Sequence, residues 1–239
     1  MIKMGKNLIQ QARGKGGPRY RAPSFRYKGE SKFRPDTRAV NGEIVDIVHC
    51  PGHNSPLMEI KYEDGQTGLL QAPEGISVGD MINIGEDVVI KAGNVLPLKS
   101  IPEGTEIYNI ENNPGDGGRF VRSSGGFAKI VTKMQDKIVV RLPSNKNRIF
   151  RPECRAVIGV IAGSGRTEKP FLKAGNRFYK MRSKNKLWPI TSGTSMNAVD
   201  HPFGGSSSAH KGRPTQSSRH SPPGRKVGKI APRRTGRRR

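Results

Sequence analysis

Asp200 and His201 form an adjacent pair whose residue types are those of acid–base chemistry. A carboxylate beside an imidazole can orient the ring for proton transfer. Such a pair also needs a nucleophile motif and an apolar pocket, and the hydroxyl groups of Ser206–Ser208 are weak support for either. We therefore expect no catalytic residue. We interpret His201 as a residue that stacks on RNA or hydrogen-bonds to it.

His49, Cys50 and His53 are close together in the sequence and are of metal-ligating type. A structural zinc site needs four ligands, usually in closely spaced pairs. The second of the two cysteines, Cys154, lies far along the chain without a ligand-type partner near it. We therefore expect no metal site, two free thiols and no cofactor. Any Mg²⁺ would be an ion associated with bound RNA.

Two glycine-rich segments lie beside predicted strands, Pro114-Gly-Asp-Gly-Gly118, followed by Arg119, and Ser123-Ser-Gly-Gly126. Glycines let the backbone approach a phosphate, and successive N–H groups can cradle an anion. The same residues also form tight hairpins, and the sequence leaves both interpretations open. Ala162-Gly-Ser-Gly-Arg166 completes neither a dinucleotide-binding motif nor a P-loop, and no helical pattern follows it, so we reject a nucleotide site there.

The charge balance identifies the class of partner. Lys and Arg number 43 against 19 Asp and Glu, a net charge of +24 in 239 residues. Self-repulsion of this size disfavours a compact state until a polyanion supplies counter-charge. No apolar run approaches the ~20 residues of a membrane span, so we expect no membrane partner. The N-terminus lacks the apolar core of a signal peptide, and we therefore expect a cytoplasmic protein.

The charge is concentrated at the two ends of the chain. Residues 1–38 hold eleven basic and two acidic residues, and residues 143–239 hold twenty-three basic and three acidic residues. Residues 39–142 hold nine basic and fourteen acidic residues, a net charge of −5. The sequence therefore predicts a middle region that folds by itself between two cationic extensions.

The middle region has the pattern of short strands. Apolar or β-branched runs of a few residues alternate with turn residues, and Asp64-Gly65 is typical of a hairpin turn. Two successive sets of about five strands favour two small barrels. The predicted strands are Glu43–Val48, Leu57–Tyr62, Gly68–Gln71, Met81–Ile84, Val88–Ile90, Glu106–Ile110, Phe127–Val131, Lys137–Leu142, Arg148–Phe150 and Ala156–Ile161.

These observations predict an all-β fold, an oligonucleotide-binding-type barrel followed by an SH3-like barrel, with long basic irregular N- and C-terminal extensions. The expected divisions are a basic extension over 1–38, the first barrel over 39–98, the second over 99–178 and a Gly/Pro/Arg-rich extension over 179–239. One short helix near Arg177 to Ser183 is compatible with the pattern, and the chain from Leu187 onward is expected to be irregular.

The extensions combine cations with aromatic side chains. Taken alone, they cannot bury enough apolar surface to order themselves. In the first, Tyr20, Phe25, Tyr27 and Phe33 alternate with Arg and Lys. Guanidinium and ammonium groups neutralise phosphates, and aromatic rings stack on unpaired bases, so this pattern indicates RNA binding.

Several segments resemble the universal ribosomal protein L-two family of the large subunit, in its archaeal form. The most specific are Met196-Asn-Ala-Val-Asp-His-Pro-Phe-Gly-Gly205 and Pro222-Pro-Gly-Arg-Lys-Val-Gly228. The resemblance spans essentially the whole chain. Its other segments are Gly5–Arg13, Arg21–Pro23, Pro73–Gly75, Gly93–Leu98, Ile101–Gly104, Pro114–Gly118, Arg155–Val160, Lys169–Pro170 and Lys173–Gly175.

The resemblance implies the two barrels and tails that thread into ribosomal RNA. It further implies a role in organising the RNA around the peptidyl-transferase centre, in subunit association and in tRNA binding. The implied partners are large-subunit ribosomal RNA, neighbouring ribosomal proteins, the small subunit and tRNA. In the family the histidine matching His201 approaches that centre, which places Asp200 and His201 near it. Many members have a second histidine where this chain has Phe203, which disfavours two-histidine chemistry.

The protein is therefore predicted to be a structural constituent of the large ribosomal subunit and not an enzyme. The face between the barrels, near Arg119, Arg122, Arg155 and Arg166, is expected to touch RNA. The residues predicted to bind RNA are Lys6, Arg13, Lys15, Arg19, Arg21, Arg26, Arg119, Arg122, Arg155, Arg166, Lys169, Lys173, Asn197, His201, Arg213, Arg225, Lys226, Arg233, Arg234 and Arg237.

Two alternatives of other classes remain open. One is an acyl-transfer enzyme that uses Asp200 and His201, and the other is a soluble RNA chaperone or regulator with similar tails. A ribosomal protein would stay with the large subunit through high-salt washing, whereas an enzyme or a chaperone would dissociate.

Overall fold

A computed structural model describes residues 8–35, 39–206, 211 and 214–233 of the chain. The chain divides into two compact units. The first, here called the barrel unit, comprises residues 24–172. The second, here called the terminal unit, comprises residues 1–23 together with 173–239.

The barrel unit consists almost entirely of strands. Two 3₁₀ turns, at Ser24–Arg26 and Leu98–Ser100, are described beside them. The strands are β1 (Val40–Val48), β2 (Leu57–Tyr62), β3 (Thr67–Gln71), β4 (Met81–Ile84), β5 (Val95–Pro97), β6 (Glu106–Tyr108), β7 (Ala128–Lys133), β8 (Ile138–Arg141), β9 (Asn147–Phe150) and β10 (Arg155–Ile158).

These ten strands form one hydrogen-bonded sheet in the order β3-β2-β1-β4-β5-β10-β6-β7-β8-β9. Antiparallel hairpins build each end of it, β1-β2-β3 at one end and β7-β8-β9 at the other. The predicted turn after β2 is present, because Gly65 donates its N–H to Tyr62 O at 2.9 Å. Gly65 has a φ of +80°, a conformation that glycine adopts without steric cost.

The sheet encloses two hydrophobic cores. The first core lies mainly among β1 to β4 and includes Ile44, Ile60 and Leu70, and the second lies mainly among β7 to β9 and includes Ile130 and Val140. An oligonucleotide-binding-type barrel is thus followed by an SH3-like barrel, and the predicted all-β class is confirmed. The predicted division of the chain at residues 38, 98 and 178 stays a prediction.

Strands β5, β6 and β10 have a core on each face. Successive side chains of a strand point to opposite faces, so neighbouring residues can enter different cores. Val95, Tyr108 and Val157 enter the first core, whereas Leu96, Ile107, Ala156 and Ile158 enter the second. These three strands therefore form a wall that both barrels share.

Two parts of the barrel unit differ from the sequence-based expectation. Val88–Ile90 is not a strand, because this run has no partner strand and leaves Val89 76% exposed. The strand that joins the sheet there is β5, which begins five residues after Ile90. Phe33 was expected to stack on RNA bases, but only 4% of it is exposed and it packs in the first core.

The terminal unit contains short elements. Helix α1 (Ile9–Gly14) was not predicted, and α2 (Ala174–Ser183) covers the helix expected near Arg177 to Ser183. Neither helix has a buried residue. The remaining elements are 3₁₀ turns at Pro18–Tyr20 and Gly193–Ser195 and two parallel strands, β11 (Gln216–Ser217) and β12 (Lys229–Ile230).

Ser217 organises the end of the terminal unit. Its hydroxyl group donates to Val227 O at 2.6 Å and accepts from Val227 N at 3.2 Å. One small polar side chain thus holds β11 against the segment before β12. Within the described ranges, no helix has the length and apolar character needed to cross a membrane.

Candidate nucleic-acid interface

Exposed cations line the N-terminal part of the terminal unit. Arg13 lies in the last turn of α1, and Lys15, Arg19 and Arg21 follow it, all four exposed. No acidic residue lies among residues 1–23, so these charges have no local counter-charge. Lys6, which was also predicted to bind RNA, lies outside the described residues.

Arg26, near the start of the barrel unit, stacks its guanidinium group on an aromatic ring. Its guanidinium carbon lies 5.3 Å from the centroid of the Phe25 ring, and Phe25 is 82% exposed. An exposed ring that carries a guanidinium group offers both a stacking surface and a charge. Phe25 and Arg26 therefore keep the arrangement that the sequence predicted for RNA binding.

The glycine-rich turn at 114–118 already holds an anion of the protein. The Asp116 carboxylate accepts the backbone N–H groups of Asn112, Asn113 and Gly118 at 3.0 to 3.2 Å. Gly117 N donates to Glu111 Oε1 at 3.3 Å. These amides are therefore occupied, and the tight-hairpin interpretation holds for this turn.

The second glycine-rich segment is occupied in the same way. Gly125 N donates to Ile161 O at 2.9 Å, and Gly126 N donates to Ser123 O at 3.0 Å. A phosphate would have to displace these backbone hydrogen bonds. We therefore assign both glycine-rich segments to turn formation.

The arginines expected on one RNA-binding face lie at three different depths. The Arg119 side chain is 69% exposed, with its Nε 3.6 Å from the Asp116 carboxylate. Arg122 is partly buried, and Arg155 is 5% exposed. The prediction placed these arginines on one face because they share a residue type, whereas the structure shows that they differ in burial.

Arg155 and Glu111 form a buried ion pair. Arg155 Nη2 lies 2.8 Å from Glu111 Oε1, with the two side chains 6% and 0% exposed. Arg155 N also donates to Glu111 Oε2 at 2.9 Å, and Glu111 N donates to Arg155 O at 3.0 Å. The guanidinium carbon lies 5.4 Å from the Phe33 ring centroid.

This placement makes Arg155 part of the interior of the barrel unit, and its predicted contact with RNA stays a prediction. Two buried charges are tolerated because each compensates the other and the remaining carboxylate sites accept hydrogen bonds. The pair lies where the strand β10 meets the segment after β6, so it ties the shared wall of the barrels to the loop at 111–118. Arg155 therefore has a structural role inside the barrel unit.

Arg122 is held by backbone carbonyl groups. Its Nη1 donates to Gly118 O at 3.2 Å, and its Nη2 donates to Ser31 O. Burial, followed by the nearby positive charge of Arg119, lowers the pKa of Arg122 from its usual value. This arginine fastens the segment at Ser31 to the loop at Gly118, and its remaining exposed surface lies beside Arg119.

Arg166, Lys169 and Lys173 are exposed. Arg166 Nε donates to Ser124 Oγ at 2.9 Å, which orients its guanidinium group. Lys173 immediately precedes α2, so it belongs to the terminal unit, whereas Arg166 and Lys169 belong to the barrel unit. All three cations can be reached from solvent.

A compact turn surrounds His201. Asp200 N and His201 N both donate to Asn197 O, at 2.9 and 3.2 Å, and Gly204 N donates to His201 O at 2.9 Å. His201 Nδ1 accepts the N–H of Phe203 at 3.0 Å. Asn197 and Asp200 are exposed, whereas His201 is partly buried.

This geometry argues against an acid–base dyad. In a dyad the carboxylate accepts a hydrogen bond from Nδ1–H of the histidine. Here Nδ1 is itself the acceptor of a backbone N–H, so the proton of a neutral ring lies on Nε2. The backbone of its own turn thus holds His201 in place. This arrangement fits a residue that contacts RNA through its shape and not one that transfers protons.

Gly193 makes room for the imidazole ring. A Cβ atom at position 193 would lie 2.4 Å from both Cε1 and Nδ1 of His201. Phe203 supports the ring from another side, with ring centroids 5.1 Å apart. Lys211 Nζ lies 5.3 Å from the Phe203 ring centroid, so the position that lacks the second histidine carries a cation–π pair.

Arg225, Lys226 and Arg233 lie beside β12. Arg225 and Arg233 are exposed, and Lys226 is partly buried. The carbonyl oxygen of Arg225 lies 3.3 Å from the Ser217 hydroxyl group, which donates to it. Arg213, Arg234 and Arg237 were also predicted to bind RNA and lie outside the described residues.

Two groups of cations were not predicted from the sequence. Arg148 lies over two rings, 4.2 Å from the Phe120 centroid and 5.5 Å from the Phe150 centroid. Arg182 and Lys186 lie beside Trp188 in the terminal unit. The alternation of cations and aromatics in residues 177–188 was a signal of the kind already used for residues 20–33.

The cysteines and histidines form no evident metal centre in the part of the chain that the structure describes. Cys50 and Cys154 are both buried free thiols. Among the described residues, no three His, Cys, Asp or Glu side chains come together as metal ligands would. The absence of a cofactor stays a prediction.

Small β-barrels with exposed cations and stacked aromatic rings define a nucleic-acid-binding protein. Comparison with known proteins identifies the family. Residues 91–224 match the family described as Ribosomal Proteins L2, C-terminal domain.

Curated relatives extend the match to the whole chain. The chain is 51% identical to the large ribosomal subunit protein uL2 of Methanothermobacter thermautotrophicus, over 99% of this chain and 100% of the relative. It is 52% identical to the protein of the same name from Archaeoglobus fulgidus, with the same coverage. For Methanocella arvoryzae the identity is 53%, over 98% and 99%.

The chain belongs to the uL2 family of large-subunit ribosomal proteins, in its archaeal form. This family is one of structural ribosomal components and not of enzymes, so the predicted class is confirmed. The predicted positions of individual RNA contacts stay predictions.

Proposed function

We propose that this protein, as a structural constituent of the large ribosomal subunit, organises ribosomal RNA near the peptidyl-transferase centre. The observation that carries the proposal is the terminal unit, whose residues include twenty-three Lys and Arg and one acid, Asp200. Ribosomal RNA and neighbouring ribosomal proteins are the partners. Support of subunit association and of tRNA binding belongs to the same proposal.

The two units divide the work. The barrel unit has two cores of its own and serves as a folded platform. The terminal unit has helices without a buried residue, so its order depends on counter-charge from phosphates. Charge-assisted contacts to phosphate offset the entropy lost when this unit is ordered. No cofactor enters this mechanism.

His201 acts in this proposal as a contact to folded RNA. Its Nδ1 is used within the turn, which leaves Nε2 as the ring nitrogen for an outside partner. Gly193 and Phe203 fix the plane of the ring. Once phosphate contacts have ordered the terminal unit, the ring presents a fixed shape to the RNA surface.

The proposal is tested first by assembly. Large subunits from cells that express a tagged copy of the protein are washed at rising salt concentration and sedimented. We expect the protein to remain with the subunit after high-salt washing, because many phosphate contacts act together. Release at moderate salt with no change in the subunit would refute a structural role and favour a soluble chaperone or regulator.

The role of His201 is tested by two substitutions. His201→Gln keeps a hydrogen-bonding side chain, and His201→Ala removes it. We expect near-normal single-turnover peptidyl transfer from assembled particles with His201→Gln, and impaired assembly with His201→Ala. His220→Gln, at an exposed histidine elsewhere in the terminal unit, is the matched control.

The opposite outcome would revive the enzymatic alternative. General acid or base catalysis is worth ~10²–10⁴-fold in rate. A hundredfold loss of peptidyl transfer with His201→Gln, in particles of normal composition, would therefore contradict a purely structural assignment.

A further inference from the structure

The terminal unit contains a pocket. Of the residues predicted to bind RNA, only Arg19 is among its described lining residues. The pocket has a volume of about 280 Å³. This lies close to the ~300 Å³ at which small-ligand sites begin. Its lining residues are Arg19, Phe178, Arg182, Asn185, Lys186, Leu187 and Trp188.

The end of helix α2 builds this pocket. Phe178 and Arg182 are four residues apart, so they lie on the same side of the helix. The helix ends at Ser183, and Asn185 then adopts a φ of +48°. Lys186 N donates to Met181 O at 2.9 Å, which turns the chain back toward the helix. Leu187 and Trp188 thereby come to line the same pocket as Phe178.

Asn185 connects the N-terminal segment to this turn. Its side-chain amide donates to Pro18 O at 3.1 Å and to Arg21 O. These two carbonyl groups flank Arg19 in the sequence. One asparagine therefore holds the arginine from the beginning of the chain beside the aromatic residues from its second half.

The lining combines flat aromatic rings with unopposed positive charge. Phe178 is 41% exposed, and Trp188 is partly buried with the Arg177 guanidinium carbon 5.5 Å from its ring centroid. Arg19, Arg182 and Lys186 are exposed, and the described lining residues include no carboxylate. Aromatic faces bind bases by stacking, and guanidinium and ammonium groups bind phosphate.

We infer that this pocket binds one unpaired nucleotide of RNA. The base stacks against Phe178 and Trp188, and the adjoining phosphates contact Arg19, Arg182 and Lys186. The inference rests on the proposed RNA-binding function and adds a specific site to it. An acidic peptide would satisfy the cations but would leave the two rings without a flat partner.

The pocket accepts any of the four bases. Reading a base requires hydrogen-bonding groups that face its edge. In the one neutral side-chain amide of the lining, that of Asn185, the NH₂ group is already committed to the backbone of the N-terminal segment. Stacking has no such requirement, because every base has a π-face.

Trp188 supplies the measurement, because it is the single tryptophan of the chain. The full-length protein is titrated with single-stranded oligouridylate and oligoadenylate, and with an abasic oligonucleotide of equal length and charge. We expect both base-bearing oligonucleotides to quench the Trp188 fluorescence with similar affinity. The abasic oligonucleotide should bind at least fivefold more weakly and quench little.

A matched pair of substitutions locates the effect. Phe178→Leu removes one stacking ring and should weaken binding of the base-bearing oligonucleotides about 5- to 150-fold, in line with ~1–3 kcal/mol per stacked base. Phe171→Leu removes an aromatic side chain of similar exposure, 51%, in the barrel unit and should change nothing. Arg182→Gln should weaken base-bearing and abasic oligonucleotides by the same factor.

The outcomes separate this inference from the proposed function. Equal quenching by base-bearing and abasic oligonucleotides, or by polyglutamate, would overturn the nucleotide pocket while binding of ribosomal RNA and salt-resistant sedimentation stand. An unchanged affinity with Phe178→Leu would overturn it as well. Failure of the protein to sediment with the large subunit would instead contradict the proposed function.

Discussion

The two units of this protein differ in their balance of basic and acidic residues. The terminal unit has twenty-three basic residues and one acidic residue, a net charge of +22. The barrel unit has twenty basic and eighteen acidic residues, a net charge of +2. Nearly all of the net charge therefore lies in the unit whose described residues form no large apolar core.

The barrel unit uses its cations to hold its own segments together. Arg155 pairs with Glu111 at 2.8 Å, and Arg34 pairs with Asp64 at 2.5 Å. The Arg34 hydrogen bond, which exceeds the opposing effect of burial, lowers the pKa of Asp64. The terminal unit has almost no carboxylate to use in this way. Buried and paired cations thus help to hold the barrel unit together, whereas those of the terminal unit have almost no acidic residue of their own unit to pair with.

The largest difference is expected in hydrogen exchange of the free protein. Amides of β5, β6 and β10 exchange only on global unfolding, because both faces of these strands are buried, whereas those of α1 and α2 open locally. We expect protection to differ by at least ~5 × 10³-fold, the factor that corresponds to ~5 kcal/mol of unfolding free energy. Mass spectrometry of the RNA-free chain measures it. Equal protection in both units would show that the terminal unit folds by itself.

The buried ion pair provides the next test. Glu111→Gln leaves the Arg155 charge buried without its counter-charge and should lower the unfolding free energy by about 3–5 kcal/mol. Urea unfolding followed by circular dichroism measures the loss. Arg119→Gln breaks an exposed pair of the same unit and should cost less than ~1 kcal/mol.

A double substitution checks the cause. Replacing both partners, Glu111→Leu with Arg155→Met, removes the uncompensated charge and should restore part of the stability. If Glu111→Gln costs no more than Arg119→Gln, the pair contributes nothing particular to the barrel unit.

Cys154 reports on the interior of the barrel unit. Burial raises the pKa of its thiol to about 11, so the thiol stays protonated in the fold at pH 8. In unfolded chains the pKa is ~8.5, so alkylation at pH 8 should be ~10²-fold or more slower in the native protein. The stability that this thiol contributes is zero below pH ~8.5, because the thiol is then protonated in both states. Above that pH the unfolded thiol ionises while the native thiol does not, so stability falls as the pH rises from ~8.5 toward 11.

Alkylation of the Cys50→Ser variant by iodoacetamide, with and without urea, measures this difference. We expect the native rate to rise about tenfold per pH unit and to keep rising until the pH approaches about 11. A native rate that levels off near pH 9, as in the unfolded chain, would show that burial does not raise the pKa of this thiol.

The smallest expected effect is on the salt dependence of RNA binding. Arg13→Gln with Lys15→Gln removes two exposed cations of the terminal unit. The slope of log K against log salt should become shallower by ~0.7–0.9 for each phosphate that is no longer neutralised. Lys137→Gln with Lys146→Gln removes two exposed cations of the barrel unit and should leave the slope unchanged. Equal reductions would show that both units bind phosphate alike.

The sequence predicted the strands well because alternation and turn residues are local signals. It placed β2 at Leu57–Tyr62 and β4 at Met81–Ile84, the bounds that the structure has. It failed at Val88–Ile90, since a short apolar run becomes a strand only when another strand pairs with it. The local sequence does not show whether such a pairing strand exists.

The candidate interface was harder to predict, because the charge of a side chain does not reveal whether that side chain is buried. Arg155 and Arg119 look alike in the sequence, and the carboxylate that pairs with Arg155 in the interior is supplied by Glu111, 44 residues away. Phe33 likewise looked like one more aromatic of a basic tail. The glycine-rich turn was predictable in part, since Asp116 within it is an acceptor for its amides.

The shared wall of the barrels affects when the barrel unit can fold during synthesis. Strand β10 follows all the other strands of the barrel unit in the sequence, yet Val157 on β10 and Ile161 beyond it belong to the first core. The first barrel therefore cannot close when its own strands β1 to β4 leave the exit tunnel. Domains usually fold in order of synthesis, at ~5–20 residues per second. At that rate the chain from β4 to β10 takes several seconds to be made, so we expect the first barrel to stay open until β10 emerges.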